Sequence, residues 1–416
     1  MLRLALTSSL LVATAAFAQE SKFAIKKPDF NITTYAQMQG WGVYSLERSA
    51  EVDGSPGLDK VEQRSNIYIR RGRLGFKGQP YENLSYILSL YFDNAGHDSL
   101  SASRGGTLPG TSGGSRNALT GGPATVGLWD TFLTWKLSDS DLFHLTGGYF
   151  RPQISRESIT AAFNVNSFEK AINQGYVRDA VIGRSYGRGT GINLGGLQHE
   201  GNFGFNYNLG IFNKVTTGDE ATNPALAETE GSESSLVYVG RLAMSFGDPE
   251  MKKYGIGYTI NYFGKRNGLT LAVNGSTQDE TPLYESNKVI GGDFLWNYKA
   301  INLDGEFFWI FKRNNGENAY SRSRTGHIRG GYNFYLNNGT VLEPSLMVSG
   351  FYGEEGADHL GRDLVVDAGV NWYLDENRYK LYLHYVMQDG DGDNMVYNPT
   401  KYSYGDYIGL GLTLQI

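Results

Sequence analysis

No cysteine occurs anywhere in the 416 residues. That excludes disulfide staples and thiolate metal sites, so an exported chain of this kind is held by hydrogen bonds and packing alone. No run of eighteen or more apolar residues follows the first twenty positions, which excludes a transmembrane helix. Charge of one sign is scarce as well: 37 Lys and Arg stand against 43 Asp and Glu, a formal net charge of −6. A balance this mild offers nucleic acid no basic surface. The 6 histidines show no HExxH spacing, and no GxSxG or P-loop pattern occurs. Ser and His are both present, but nothing pairs them as nucleophile and base. The reading is therefore not an enzyme, and no cofactor is expected.

What is present begins with MLRLALTSSLLVATAAFAQE. Arg3 precedes an apolar run from Leu4, and Ala16-Phe17-Ala18 supplies a small-x-small cleavage site. Residues 1–18 are thus expected to be a secretory signal peptide. Residues 19–30 form a polar lead, and 31–416 read as one domain. Gly 55, Tyr 28 and 13 % aromatics accompany a mean hydropathy of −0.36. Helix interiors tolerate so much glycine poorly, whereas short strands, tight turns and aromatic girdles accommodate it.

From residue 31 onward, segments of roughly ten residues alternate apolar with polar or small positions, the dyad pattern of outer-membrane strands. LSYILSLYFD sets Leu84, Tyr86, Leu88, Leu90 and Phe92 against Ser85, Ser89 and Asp93. FGFNYNLGIF sets Phe203, Phe205, Tyr207, Leu209 and Ile211 against Asn206 and Asn208. The gaps alternate too: short ones such as 79–83 and 337–339, long ones such as 94–126, 151–187 and 389–403. Short periplasmic turns alternating with long external loops predict an all-β fold, a transmembrane antiparallel β-barrel of about sixteen strands. Segment 254–264 also alternates but would make the count odd; it reads as a periplasmic excursion or an extension of the next strand. A soluble sandwich or propeller also has alternating strands, but its loops need not alternate in length, and no fixed-period repeat occurs.

With apolar faces toward lipid, the other parity lines a lumen. It collects Arg71, Arg73, Lys77, Lys136, Arg241, Lys299, Lys312, Arg329 and Lys380, with His327 and His384. It also collects Asp93, Asp130, Asp293, Asp304, Glu306, Glu343 and Asp367. A barrel this wide leaves an aqueous channel, so such charges are expected to be solvated. YIRRGRLGFKG (Tyr68–Gly78) is the exception to scatter: Arg71, Arg73 and Lys77 share one face in steps of about 6.6 Å. Such a ladder attracts anions, and the planar fork of Arg suits phosphate. Arg70 has the opposite parity, which at the bilayer midplane costs roughly 2–4 kcal/mol. Either it sits at a subunit interface or a bulge near Gly72 turns it inward, and the bulge is the preferred expectation. The long segment 151–187 carries Arg151, Arg156, Lys170, Arg178 and Arg184. It either folds into the barrel, where cationic rings select anions, or stays external and solvated.

The residues that carry these features resemble the phosphate-selective porins O and P of Gram-negative outer membranes. The resemblance rests on YIRRGRLGFKG, on LSYILSLYFD, on WDTFLTWKL (Trp129–Leu137), and on GGYFRPQISRES leading to SFEKA (Ser167–Ala171). It implies a homotrimer of sixteen-stranded barrels in the bacterial outer membrane, in contact with its lipid, passing phosphate or similar small anions. It also implies that Arg70 and Arg71 help form an anion path. Arg73 and the terminal Ile416 depart from that pattern.

Passive diffusion of anions is therefore the expected function, along Arg70, Arg71, Arg73, Lys77, Arg151, Arg156, Arg241 and Arg329. A general or oligosaccharide-type porin is the alternative, and an outer-membrane adhesin or enzyme a further one. Asp389, Asp391 and Asp393 stand at alternate positions like the start of a Ca²⁺ loop. No bidentate Glu follows at position twelve, so a solvated acidic loop is the simpler reading and no metal is expected.

Overall fold

The computed structural model describes residues 32–50, 59–98, 101, 126–183, 187–214, 235–278, 280, 284–314, 320–354, 361–390 and 405–416. The proposed signal peptide and the polar lead lie outside these residues. Sixteen strands run in chain order: β1 Ile32–Ser45, β2 Ser65–Tyr81, β3 Leu84–Ala95, β4 Val126–Lys136, β5 His144–Phe150, β6 Gly189–Glu200, β7 Phe203–Asn213 and β8 Leu236–Gly247. They continue as β9 Gly268–Gln278, β10 Tyr284–Tyr298, β11 Ile301–Asn314, β12 Ser321–Tyr332, β13 Val341–Gly353, β14 Gly361–Asp375, β15 Tyr379–Gly390 and β16 Tyr407–Gln415. A two-residue piece, Phe334–Tyr335, prolongs β12, and a small hairpin (Arg48–Ala50 with Asp59–Val61) rises from the β1–β2 loop.

Each strand pairs antiparallel with the next, and β1 closes the circle by pairing with both β2 and β16 (Gln39 opposite Thr413 and Arg71). Closure leaves no sheet edge, the condition for a β-structure to cross lipid. Among the described residues no helix is long and apolar enough to cross a membrane. The dyad pattern decides which face is which. Outward positions such as Leu209, Ile290, Leu383 and Leu410 remain exposed, as lipid-facing side chains do. Their neighbours Asn208, Asn193 and Asn371 are buried on the inner side.

Apart from the 248–267 connector, the long connections lie at the end reached by β1 and the short turns at the other, so the first end is extracellular and the second periplasmic. Segment 254–264 forms no strand: it belongs to the 248–267 connector on the periplasmic side, and the strand total stays even. Lys299, expected on the inner wall, sits instead in the tight β10–β11 turn with φ 53° and is exposed.

The inner wall is not lined by polar groups alone. Val237, Val239, Val289, Phe308, Ile310 and Phe351 have inward parity and are buried against Tyr176, Val177 and Val181. Those last residues lie on a helix, Asn173–Ile182, within the β5–β6 connection. The long segment therefore packs inside the barrel, and the apolar core of the protein lies in its lumen.

Candidate functional site

The register of β2 against β1 places Arg71 opposite Gln39 and Ile69 opposite Gly40, leaving Arg70 unopposed. That is a β-bulge, and it turns Arg70 inward beside Arg71. The subunit-interface alternative is removed, because within the single barrel Arg70 is already only 2 % exposed. Its Nε donates to Glu169 Oε2 at 2.9 Å and its Nη1 to Asn94 Oδ1 at 3.2 Å, with Trp41 beneath at 5.3 Å. Arg71 donates to the other oxygen of the same carboxylate and, at 2.6 Å, to Gln39 Oε1. The two arginines of the sequence motif thus share one carboxylate, supplied by the 151–187 segment.

Lower on the same face, Arg73 pairs with Asp93 (Nη2 to Oδ2, 3.1 Å). Its guanidinium lies 3.8 Å from the Trp129 ring, and Arg188, paired with Asp130 at 2.9 and 3.1 Å, lies 3.4 Å from that ring. Trp129 therefore anchors two cations at once. Lys77 keeps the inward parity, with Tyr35 at 5.8 Å, and is exposed. The ladder is present, with Gly75 as its gap: a Cβ there would meet the Tyr35 ring at 2.5 Å.

Inside the lumen the segment forms two α-helices, α1 (Arg156–Ile159) and α2 (Asn173–Ile182), with a short 3-10 turn (Ala162–Asn164) between them. The lumen charges expected to be solvated instead pin it to the wall. Arg156 donates to Asp293 at 3.0 Å and to Glu250 at 3.0 Å; Arg241 holds the same Asp293 at 2.8 and 3.0 Å. Arg329 bridges Asp304 (2.8 Å) to Glu157 (2.7 Å). Glu306 accepts from Ser155 Oγ at 2.6 Å and from the Glu157 amide at 3.0 Å. Asp367 accepts from the Phe168 amide at 2.7 Å, and Lys380 donates to the Val165 carbonyl at 2.7 Å. Arg241 and Arg329 are in the lumen, as parity predicts, and Arg156 joins them because the 151–187 segment folds inward, but each is bound to carboxylates. Pairing is what makes their burial tolerable.

Three other cations converge on α1. A helix of four residues leaves its last carbonyls unused. Arg151 Nη1 donates to the Ser158 and Thr160 carbonyls at 2.6 and 3.1 Å. Lys170 Nζ donates to the Thr160 carbonyl at 2.8 Å and to that of Glu157. Arg178 donates to the Ser158 carbonyl at 2.6 Å and to Ser158 Oγ at 2.9 Å. Among the described residues, no carboxylate lies within ion-pair reach of Arg151 or Lys170. Burial, reinforced by Arg178, pushes the Lys170 ammonium well below its ordinary value. Burial would raise the Glu157 carboxyl, but Arg329 and then Lys170 and His327 outweigh it and hold it at about 2.

From the periplasmic side, the 248–267 connector folds back against the same segment. Tyr258 bridges to Thr160, and Ile260 packs with Val165 and Leu295. Tyr254 reaches the inner wall, donating to Asn208 Oδ1 at 2.6 Å. This contact was invisible in the sequence; only the failure of 254–264 to fit the strand count marked the segment. Glu157, Asp304 and His327 cluster closely enough to suggest metal ligands, but Arg329 already bridges the two carboxylates. Of the acidic trio weighed for calcium, Asp389 pairs with Arg362 at 3.1 Å in the open. Asp391 and Asp393 lie outside the described residues.

The profile of the family described as "Phosphate-selective porin O and P" matches residues 49–416. No curated protein sequence matches the chain. Among solved structures, the anion-selective porin from Comamonas acidovorans superposes with a TM-score of 0.54 at 10 % identity, covering 92 % of this chain and 98 % of that one. OmpF of Salmonella typhi, solved in complex with daunomycin, gives 0.51 at 13 % identity, covering 92 % and 97 %. At such identities these two structures show the fold alone. Together with the closed sixteen-stranded barrel, the family match makes this an outer-membrane porin: the chain belongs to the phosphate-selective porin O and P family.

Proposed function

We propose that the barrel is a diffusion channel for small anions, with its constriction between the inward segment and the wall of β2 to β6. One observation carries this reading: positive charge exceeds its carboxylate partners there. Arg70 and Arg71 share Glu169, while Arg151 and Lys170 rest on carbonyl oxygens. The carboxylates concentrate on the opposite wall, where Asp293, Asp304, Glu306, Glu343 and Asp367 hold the segment. An anion passing the cationic side exchanges part of its hydration for these donors and moves between weak sites. Phosphate is the solute the family description favours. The three-barrel assembly implied by the family resemblance is proposed alongside it, and cross-linking in native membranes tests it. Reversal potentials across a KCl gradient test the selectivity: anion preference is expected, and it should fall in Arg151→Gln and Lys170→Gln. Cation preference in the unmodified channel would remove the proposal, and chloride current unaffected by added phosphate would remove phosphate as the solute.

A second reading has its own support. Asp93 and Asp130 retain 14 % and 20 % side-chain exposure beside Tyr35 and Tyr91. Such mixed polar lining suits neutral solutes such as sugars, and liposome swelling with oligosaccharides would reveal it.

A further inference from the structure

The outer wall of the barrel is apolar at the extracellular ends of most strands. Ile211 on β7, Leu236 and Tyr238 on β8, Tyr385 on β15 and Ile408 on β16 all face outward and are exposed. The sector from β10 to β14 differs. Lys288 on β10, Arg322 and Arg324 on β12 and Arg362 on β14 are outward and exposed, and Arg313 on β11 is one-third exposed. Strand register gathers them. Lys288 and Arg322 flank Phe311, and Arg324 lies between Trp309 and Tyr352, with Arg362 on the far side of Tyr352. With strands about 4.8 Å apart and about 6.6 Å per two residues, the patch from Lys288 to Arg362 measures about 19 by 7 Å at the backbone.

Its height is set by the same geometry. From the outward Tyr332 at the periplasmic end of β12 up to Arg322 is ten residues. That is about 33 Å of strand, or about 25 Å of vertical rise at a tilt of about 40°, the height of the apolar band. The cations therefore sit at the level of the outer-leaflet headgroups, where charge is tolerated, and aromatic rings accompany them: Tyr352 under Arg324 at 4.7 Å, Tyr320 near Arg313 at 5.1 Å and near Lys288 at 5.9 Å. Arg313 is paired with Glu285 and Arg362 with Asp389. Lys288, Arg322 and Arg324 have no carboxylate within ion-pair reach among the described residues.

We propose that this patch binds the phosphate groups of a phosphorylated glycolipid in the outer leaflet, with the acyl chains lying down the apolar wall below it. Clusters of cations beside a membrane recognise phosphate-bearing lipids in this way, and two guanidiniums can each offer a bidentate fork. The binding is external to the lumen and independent of which solute the channel passes.

The test uses the full-length porin in detergent, incubated with diphosphoryl lipid A or with lipid A stripped of both phosphates, with retained lipid read by native mass spectrometry. Diphosphoryl lipid A should be retained selectively, and retention should fall about fivefold for each cation removed in Arg322→Gln and Arg324→Gln. Arg322→Lys, which keeps the charge at the rim, should retain most of it, and Lys299→Gln at the periplasmic turn should change nothing. Inorganic phosphate should not compete. Equal retention of the two lipids would overturn the proposal, as would full retention by the double Gln variant. So would variants that alter oligomer size without altering lipid, which would make the face a protein contact. Heat-modifiable gel mobility confirms that each variant is folded; should Arg324→Gln fail, Arg322→Gln alone decides.

Discussion

Nη2 of Arg70 lies 2.7 Å from Oε2 of Glu169, joining the bulge in β2 to the middle of the inward segment. Because Arg71 takes the other oxygen, one carboxylate holds two buried guanidiniums. Removing one partner of a buried pair costs about 3–5 kcal/mol, since it strands the remaining charge. Glu169→Gln should loosen the segment while the strand ladder keeps the barrel closed. Open-channel current noise is expected to rise, with folded mobility on a gel unchanged; a quiet channel of normal conductance would show that Glu169 does not seat the segment.

Phe168 next to it lies stacked on Trp41 at 4.2 Å, flanked by Tyr382 and Tyr407. It fits because β16 carries Gly409 beneath it: a Cβ there would come within 2.1 Å of the ring. The ring is boxed in and cannot swing away. Gly409→Ala should therefore displace the segment and change single-channel conductance, and Phe168→Leu in the same chain should partly restore it.

Lys170 supplies a pH dependence whose sign follows from its burial. Its ammonium is pushed well below its ordinary value. The charge is thus lost as pH rises through that lowered value, before an ordinary lysine at about 10.4 would titrate. Anion preference should decline as that charge is lost, at a lower pH than an ordinary lysine would give, and Lys170→Met should flatten the decline. Phosphate bound nearby would favour the charged form and move the decline to higher pH. Reversal potentials measured against pH, with and without phosphate, check both statements.

Glu157 acts at the other end of the scale. Held at about 2 chiefly by Arg329 against its own burial, it contributes all its stabilisation above the ordinary glutamate value of about 4.3. That contribution is lost progressively as pH falls from about 4.3 through about 2. Channel noise should stay low at pH 4 and rise on further acidification. Glu157→Gln should be noisy at neutral pH and show little further change with acid.

Much of the fold and part of the site were legible from the chain alone. Alternation in stretches such as FGFNYNLGIF, with short and long gaps in turn, determined sixteen strands, their inner and outer faces and the inward parity of Arg71, Arg73, Arg241 and Arg329. These follow from sequence because the strand period is local: each residue's face is set by its immediate neighbours. The bulge at Arg70 was also foreseeable, since a cation on the lipid face is costly enough to demand a remedy. Three things were decided only in three dimensions. The 151–187 segment lies inside because Glu169, Glu157 and Arg156 find partners on β2, β12 and β10, contacts 99, 172 and 137 positions apart. The 248–267 connector meets it from below, and inward valines such as Val237 and Val289 receive a helix where parity promised only water. Parity reveals that a side chain faces the lumen but not what faces it there, because closing a barrel brings together residues whose separation along the chain leaves no local trace.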